Sequence, residues 1–183
     1  MAERSVALVL LAAGRGRRFG SDKLAAKLDG MSVIDHAIAS ANAASFSARF
    51  IVRRLEAVRV ETGHRWSLVV NEQADEGMAS SIRCGVRAAS AHSHIVIALA
   101  DMPYISAGHL NALAARDIPT FTQYPDSRAG CPAAFPREAY SALLSLRGDC
   151  GAASLQFSPS AKIVPPSGQA LQDIDLPSDL RSE

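Results

Sequence analysis

Residues 8–23 are Leu-Val-Leu-Leu-Ala-Ala-Gly-Arg-Gly-Arg-Arg-Phe-Gly-Ser-Asp-Lys, an apolar run followed directly by a loop of glycines and cations. The apolar half has the composition of a buried strand. Glycines in the loop allow backbone N–H groups to approach an anion closely, and the cations add positive charge at the same place. These residues are Gly14, Gly16 and Gly20, with Arg15, Arg17, Arg18, Lys23 and Lys27. The segment therefore predicts a strand followed by a polyphosphate-binding loop.

The positive charge of this loop is local. The chain of 183 residues has a formal net charge of only +1, so it lacks the broad basic face expected of a nucleic-acid-binding protein. A small anionic ligand is the better expectation, and no nucleic-acid partner is predicted.

Two common phosphate-binding motifs do not fit the loop. In a P-loop the second glycine is followed by Lys and Ser or Thr, whereas Gly20 is followed by Ser-Asp-Lys. A dinucleotide-binding fingerprint opens directly into a helix, but here a turn signal at Leu28-Asp-Gly30 comes first, and the helical pattern begins only near Ser32. The phosphates must then be compensated by the cations rather than by a helix N-terminus.

Apolar runs alternate with helical patterns along the chain. Residues 6–11, 50–52, 67–70 and 95–99 are predicted to be buried strands, and helices are expected behind Ser32, as N-cap, and over 81–91. Further on we expect helices over 106–115 and 137–146 and strands near 120–123, 133–135 and 162–164. The alternation predicts an α/β fold, a three-layer αβα sandwich with a Rossmann-like, mostly parallel mixed sheet. Length and a hydrophobic content of 48% predict a single domain over residues 1–183.

In such a sheet, ligands bind beyond the carboxyl ends of the strands. The glycine loop follows the first strand, residues 71–81 follow the strand that ends at Val70, and Asp101 follows the strand that ends at Leu99. These three segments are therefore expected to form one site. Beside a cationic phosphate loop, Asp101 is a candidate Mg²⁺ ligand, because this ion combines one or two carboxylates with phosphate oxygens and waters.

The first loop, Leu11-Ala-Ala-Gly-x-Gly-x-Arg-Phe-Gly-x-x-Lys-Leu24, resembles the signature of the nucleotidylyltransferases, and among these the molybdenum cofactor cytidylyltransferase group. The later motifs of the family are matched in order and extend the resemblance over nearly the whole chain. They are Asn71-x-x-x-x-Glu-Gly-Met-x-Ser-Ser-Ile82, Ala100-Asp-Met-Pro103, Gly130-Cys-Pro132, Leu146-Arg-Gly-Asp-Cys-Gly-Ala152 and Asp173-Ile-Asp-Leu-Pro-Ser-Asp-Leu180.

This resemblance implies an activity, namely Mg²⁺-dependent transfer of CMP from CTP to the phosphate of molybdopterin cofactor, with release of pyrophosphate. Arg18 and Lys23 would be the catalytic cations on the triphosphate. Asp101 and Asp175 would hold the metal, with Asp173 as an alternative to Asp175. A recipient molybdoenzyme is an expected partner.

The resemblance also assigns binding residues. The nucleotide would contact Leu11, Ala12, Ala13, Gly14, Arg15, Gly16, Gly77, Ser80 and Ser81, and the acceptor would contact Gly130, Pro132 and Asp149. Family members with Leu-Ala-Ala-Gly resemble cytidylyltransferases, whereas Leu-Ala-Gly-Gly is the guanylyltransferase form, so CTP is favoured. The methyl group of Ala13 takes room that a purine needs. Ser80 and Ser81 are expected to bind the base or to cap the helix, and one of them can do both.

Two positions depart from the cofactor group. Cys131 stands where His is expected, and Ala153 stands where Arg is usual. Both departures lie in the acceptor motifs, so a sugar phosphate or polyol phosphate remains an alternative acceptor.

Two other classes of function compete with this interpretation. In an NADP-dependent oxidoreductase, Arg53 and Arg54 would receive the 2′-phosphate, but the displaced helix and the lack of a Tyr-x-x-x-Lys pair disfavour it. A non-catalytic cofactor carrier would not need two metal carboxylates.

The composition points to a cytoplasmic protein without a membrane partner. Its longest apolar runs fall short of the roughly 18 to 20 residues of a membrane span, and the first residues lack a signal-peptide layout. Cys84, Cys131 and Cys150 are odd in number and far apart in sequence, which predicts neither a disulfide framework nor a zinc site.

Overall fold

The architecture is a seven-stranded sheet covered by helices. A computed structural model of the chain describes residues 4–14, 19, 22–55 and 65–180. Its strands are β1 (Val6–Ala12), β2 (Lys27–Leu28), β3 (Met31–Ser32), β4 (Ala48–Arg53), β5 (Ser67–Val70), β6 (His94–Leu99), β7 (Thr120–Gln123), β8 (Ala129–Pro136) and β9 (Ala161–Ile163). The α-helices are α1 (Val33–Ala43), α2 (Met78–Ala88), α3 (Ala107–Ala114) and α4 (Tyr140–Ser145).

The order of the main sheet is β5-β4-β1-β6-β8-β7-β9. Strands β5, β4, β1 and β6 are parallel, β8 is antiparallel to both β6 and β7, and β9 is parallel to β7. The predicted mostly parallel mixed sheet is therefore confirmed. Strands β2 and β3 form a separate two-stranded hairpin.

The central strand β1 is buried on both faces, which explains why its sequence is continuously apolar. Leu8, Leu10 and Ala12 pack with α1 and α3 on one side of the sheet. Ala7, Val9 and Leu11 pack with α2 and residues of α4 on the other. Helices thus cover both faces, and the predicted three-layer αβα arrangement is confirmed.

The hairpin accounts for the turn signal that separates the first loop from α1. Asp29 and Gly30 have φ angles of 47° and 84°, the two consecutive left-handed positions that a tight hairpin turn requires. Ser32 then caps α1 as predicted, because its Oγ accepts a hydrogen bond of 3.2 Å from the Asp35 N–H.

Strand β5 is not the buried strand that its composition predicts. It lies at the edge of the sheet, and Leu68 is 63% exposed. An apolar run does not reveal whether its strand becomes central or terminal in the sheet, because that depends on the pairing of distant segments.

Several element boundaries also differ from those predicted. Helix α2 begins at Met78 rather than at residue 81. Strand β8 is longer than the expected 133–135 and includes Gly130 and Pro132. The expected helix over 137–146 is divided into a 3₁₀ turn at Arg137–Ala139 and the short α4. Within the described part of the chain, no helix is long and apolar enough to cross a membrane.

Helix α2 approaches the sheet at Gly85. A Cβ atom at this position would lie 2.3 Å from Cγ1 of Val9 and 3.3 Å from Cγ2 of Val52. Since both valines belong to the centre of the sheet, neither moves aside easily.

We therefore predict that Gly85→Ala lowers the free energy of unfolding by about 1–3 kcal/mol, measured by urea denaturation, because it overpacks the core. The matched control is Gly108→Ala in α3, where an added Cβ meets only Ser106 Oγ at 3.9 Å. That change should stabilise the protein by up to about 1 kcal/mol through helix propensity. Equal stability of Gly85→Ala and the wild type would contradict the close packing of α2 on β1.

Candidate functional site

A cavity of about 390 Å³ lies beyond the carboxyl ends of the parallel strands. The strand register creates this edge, since Leu11 of β1 is aligned with Val52 on one side and with Leu99 on the other. The cavity is lined by Leu11, Ala13, Gly14, Arg54, Ala74, Asp75, Gly77, Met78, Ser81, Leu99, Asp101 and Asp149.

Many of the sequence-predicted residues meet here. Those that line the cavity are Leu11, Ala13, Gly14, Gly77, Ser81, Asp101 and Asp149. Ala12 and Ser80 are buried and are not part of the lining. Arg15, Gly16 and Arg18 lie outside the described residues.

The C-terminal segment brings Asp175 next to Asp101. Ile174 is fully buried among residues of the α1 and α3 side, and its N–H donates to the Asp101 carbonyl at 2.9 Å. Asp179 Oδ2 accepts hydrogen bonds from the N–H groups of Asp175, at 2.9 Å, and Leu176, at 2.7 Å. The buried Ile174 side chain and these three hydrogen bonds therefore hold the backbone on both sides of Asp175.

Lys23 lies between these two carboxylates. Its Nζ donates to Asp101 Oδ2 at 2.6 Å and to Asp175 Oδ1 at 2.8 Å, and only 10% of its side chain is exposed. Burial alone would lower the pKa of Lys23, but Asp101 and Asp175 more than offset this effect and raise the pKa above its usual value. The ammonium group is accordingly charged at neutral pH.

The residues of this cluster fit a magnesium site. Asp101 Oδ1 is buried and has no hydrogen-bond partner among the described residues, so it is an unused carboxylate ligand. Oxygen donors suit a hard cation such as Mg²⁺. In the part of the chain that the structure describes, no three His, Cys, Asp or Glu side chains group closely enough to enclose a metal. A site here would have two protein carboxylates and would depend on the substrate for further ligands.

Asp173 is the alternative second carboxylate. Partial loss of hydration, together with the negative charges of Asp101 and Asp175, raises the pKa of Asp173 to about 6. Asp175 contacts Lys23 directly, and this contact favours Asp175 as the partner of Asp101.

Asn71 organises the opposite side of the cavity. Its Nδ2 donates to Ser80 Oγ at 2.8 Å and to Ser81 Oγ at 3.0 Å, and its Oδ1 accepts from the Gln73 N–H at 3.0 Å. Ser80 Oγ in turn donates to the Gly77 carbonyl at 2.8 Å. The hydroxyl of Ser80 thus stabilises the turn, and Ser81 is the serine that faces the cavity.

The alternative that Ser80 and Ser81 cap the helix is wrong. Gly77 occupies the N-cap position of α2, and both serines lie within the first turn. The sequence places the serines beside a helix start but does not reveal that the helix begins at Met78, because a glycine N-cap provides no side-chain signal.

Gly77 holds two segments together that are distant in sequence. Its φ is +103°, and a Cβ atom here would lie 2.3 Å from Asp149 Oδ1 and 2.5 Å from the Gly148 carbonyl oxygen. The Gly148 carbonyl also accepts a hydrogen bond of 3.1 Å from the Ala79 N–H. Asp149, expected on the acceptor side, therefore lines the same cavity as the expected nucleotide residues.

The two other expected acceptor residues lie elsewhere. Gly130 packs against the ring of Tyr124, where a Cβ would be 2.5 Å from Cε2, and the Pro132 carbonyl accepts from Thr122 Oγ1 at 2.6 Å. Neither residue lines this cavity, whereas Asp149 does.

Arg54 is the main residue of the site whose position sequence reasoning missed. Its Nε donates to the Ala13 carbonyl at 2.8 Å, and its Nη1 pairs with Asp75 Oδ1 at 2.6 Å. We expected Arg54 only as a phosphate ligand in an oxidoreductase. The available signal was that Arg54 directly follows a strand of the same sheet, just as Asp101 follows β6.

Comparison with known proteins agrees with this geometry. The family model of the MobA-like NTP transferase domain matches residues 8–162. The chain belongs to the MobA-like NTP transferase family. It is thus a nucleotidyltransferase with a nucleoside triphosphate as substrate, and the oxidoreductase interpretation is wrong.

The alignments with individual proteins cover nearly the whole chain. Purine catabolism protein PucB of Bacillus subtilis is 32% identical over 188 residues, which cover 93% of this chain and 92% of that protein. A nucleotidyl transferase from Methanothermobacter thermautotrophicus, Mth528, has the same fold with a TM-score of 0.83 at 24% identity, over 97% of this chain and 94% of that one. Rv0371c of Mycobacterium tuberculosis, solved in complex with manganese, has a TM-score of 0.68 at 22% identity, over 89% of each chain.

We predict that Gly77→Ala weakens both folding and nucleoside triphosphate binding, because the new methyl group collides with Gly148 and Asp149. Gly30→Ala is the matched control, since Gly30 has a φ of +84° but nothing within 4 Å of the added Cβ. The control should lose about 1–2 kcal/mol of unfolding free energy from backbone strain alone. Gly77→Ala should lose more, with a clear drop in affinity by calorimetry. Equal losses in the two variants would show that the contact with residues 148 and 149 is unimportant.

Proposed function

We propose that this nucleotidyltransferase transfers CMP from CTP to the phosphate of molybdopterin cofactor and releases pyrophosphate. The observation that carries the proposal is the convergence of Asp101, Asp175 and Lys23 beside the cavity. The two carboxylates suit a metal ion, and the charged lysine suits the phosphates of a nucleoside triphosphate. We assign residues 1–183 to one catalytic domain and expect it to act in the cytoplasm.

The reaction needs charge compensation more than proton transfer. A phosphomonoester that attacks the α-phosphorus is already anionic near neutral pH, so no general base is required. The site must reduce the repulsion between anions and hold the attacking oxygen, the phosphorus and the leaving pyrophosphate in line. In our proposal Lys23 donates to the triphosphate, together with Arg18 and with the backbone N–H groups of the loop from Gly14 to Gly16, and Arg15 adds positive charge.

Mg²⁺, held by Asp101 and Asp175, would neutralise charge on the α-phosphate when it is bound. The solved manganese complex of Rv0371c supports a divalent cation in a protein of this fold. The unpartnered Oδ1 of Asp101 supports the same position in this chain.

Ala13 and Ser81 carry the preference for cytosine in this proposal. Ala13 is only 4% exposed, and its carbonyl is held by Arg54, so its methyl group occupies a fixed place in the cavity wall. Ser81 presents a hydroxyl that accepts from Asn71 and remains able to donate to a base. A pyrimidine needs less room against such a wall than a purine.

Asp149, Gly130 and Pro132 are proposed to contact the acceptor. Since Asp149 lines the nucleotide cavity, it would meet the acceptor where the two substrates join. PucB is named a purine catabolism protein, and we extend that association to this chain. The enzyme that receives the finished cofactor would then act on purines.

Asp101→Asn tests the catalytic assignment. With CTP, Mg²⁺ and molybdopterin, the variant should release pyrophosphate at least about 100-fold more slowly than the wild type, because it weakens binding of the Mg²⁺ that would offset negative charge in the transition state. Asp117→Asn is the matched control, because Asp117 pairs with Arg4 just before β1, at the opposite end of the sheet. Full activity of Asp101→Asn would overturn the proposal, and turnover with a sugar or polyol phosphate but not with molybdopterin would correct the acceptor.

Ala13→Gly tests the basis of nucleotide choice. Removal of the methyl group should lower the ratio of kcat/KM for CTP over GTP by about tenfold, the scale of one methylene group in a binding pocket. Ala12→Gly adds the same backbone freedom one residue earlier without enlarging the cavity, and it should keep the wild-type ratio. A wild-type enzyme that prefers GTP would contradict the argument from Ala13.

A further inference from the structure

The backbone at Lys23 is fixed by a compact turn. Leu24 N–H donates to Asp22 Oδ1 at 3.1 Å, and the Leu24 carbonyl accepts from the Ile34 N–H, also at 3.1 Å. The Leu24 side chain is buried in the core on the α1 side. The long side chain of Lys23 can therefore change its position while this turn stays in place.

The ammonium group of Lys23 uses the same carboxylate oxygens that a metal ion would need. Asp101 Oδ2 and Asp175 Oδ1 both accept from Nζ. The other oxygen of Asp101, Oδ1, is buried and has no hydrogen-bond partner among the described residues. An ion that bound both carboxylates with Lys23 in place would share their oxygens with a second cation, and the two positive charges would repel each other.

A triphosphate removes this conflict. Its oxygens are anionic acceptors for an ammonium group, and they also supply metal ligands beyond the two carboxylates that the described residues offer here. Without nucleotide, by contrast, the ammonium group of Lys23 compensates the charges of Asp101 and Asp175 through direct contact with both.

We propose that Lys23 is an exchangeable counter-cation, which blocks metal binding at Asp101 and Asp175 until a nucleoside triphosphate draws its ammonium group away. This inference rests on the proposed function. It makes metal and nucleotide binding mutually dependent, because each ligand favours the same displaced state of one side chain. Lys23 is in this respect a positioning residue as well as a phosphate ligand.

The test is Mn²⁺ binding by electron paramagnetic resonance, with metal-free protein and with or without CTP. The wild type should bind Mn²⁺ weakly alone and at least about tenfold more tightly with CTP, a coupling of ordinary size. Lys23→Gln, which removes the charge, should bind Mn²⁺ about tenfold more tightly than the wild type in the absence of CTP, and should lose most of the enhancement.

Three variants make the experiment specific. Lys162→Gln removes a lysine whose Nζ donates to the Ser127 carbonyl, and it should bind Mn²⁺ like the wild type. Lys23→Arg keeps the charge and should keep weak binding without CTP. The double variant Lys23→Gln with Asp101→Asn should lose the tight binding, which locates the ion at this site.

The outcomes separate this inference from the proposed function. One outcome is that Lys23→Gln binds Mn²⁺ no more tightly than the wild type, while CTP still enhances binding in both. That result overturns the counter-cation role of Lys23, and the proposed function stands. A structural ion pair alone would give that result, because its loss weakens folding without improving metal affinity. If neither Mn²⁺ nor CTP binds to the wild type, the proposed function itself fails.

Discussion

The ion pairs of Lys23 with Asp101 and Asp175 are the interaction on which the arrangement of the site depends. Lys23 follows β1, Asp101 follows β6, and Asp175 belongs to the C-terminal segment, 152 residues from the lysine. Close carboxylates repel each other, and the ammonium group between them offsets that repulsion. The pairs thereby join the first loop, the middle of the sheet and the end of the chain at one point.

The opposite wall of the cavity depends on hydrogen bonds rather than on charge. Asn71 holds Ser80 and Ser81, Ser80 holds the Gly77 carbonyl, and Gly77 lies against residues 148 and 149. Arg83 strengthens the same junction, because it pairs with Glu76 at 2.9 Å and donates to the Leu146 carbonyl at 2.8 Å. The loop expected to contact the nucleotide and the turn expected to contact the acceptor are therefore one packed unit.

The sequence predicts those parts of the fold that local patterns encode. The apolar run of β1, the Ser32 cap and the turn at Asp29-Gly30 each follow from a few adjacent residues, and the structure has all three. The sequence also places Asp101 at the correct edge of the sheet, because the end of β6 fixes its position. By contrast, the exposure of β5 and the glycine cap of α2 depend on distant packing, which local composition does not encode.

The site could be predicted less completely than the fold. No periodicity places Asp175 beside Asp101, so the expectation that they share a metal ion comes from the family resemblance alone. The ion pair of Lys23 with Asp175 is not predicted at all. The same resemblance grouped Asp149 with Gly130 and Pro132, whereas only Asp149 lines the cavity. Arg54 was missed as part of the wall because its contacts, the Ala13 carbonyl and Asp75, come from two other loops. Motifs thus identify chemical groups, but the contacts that orient them belong to the folded chain.

The most direct test of the account is a crystal structure of this chain with Mg²⁺ and a non-hydrolysable CTP analogue. We expect the ion on Asp101 and Asp175, the cytosine beside Ala13 and Ser81, and the ammonium group of Lys23 moved from the carboxylates to the phosphates. A nucleotide bound away from this cavity, or an ion held by other residues while Lys23 keeps both of its ion pairs, would contradict the account.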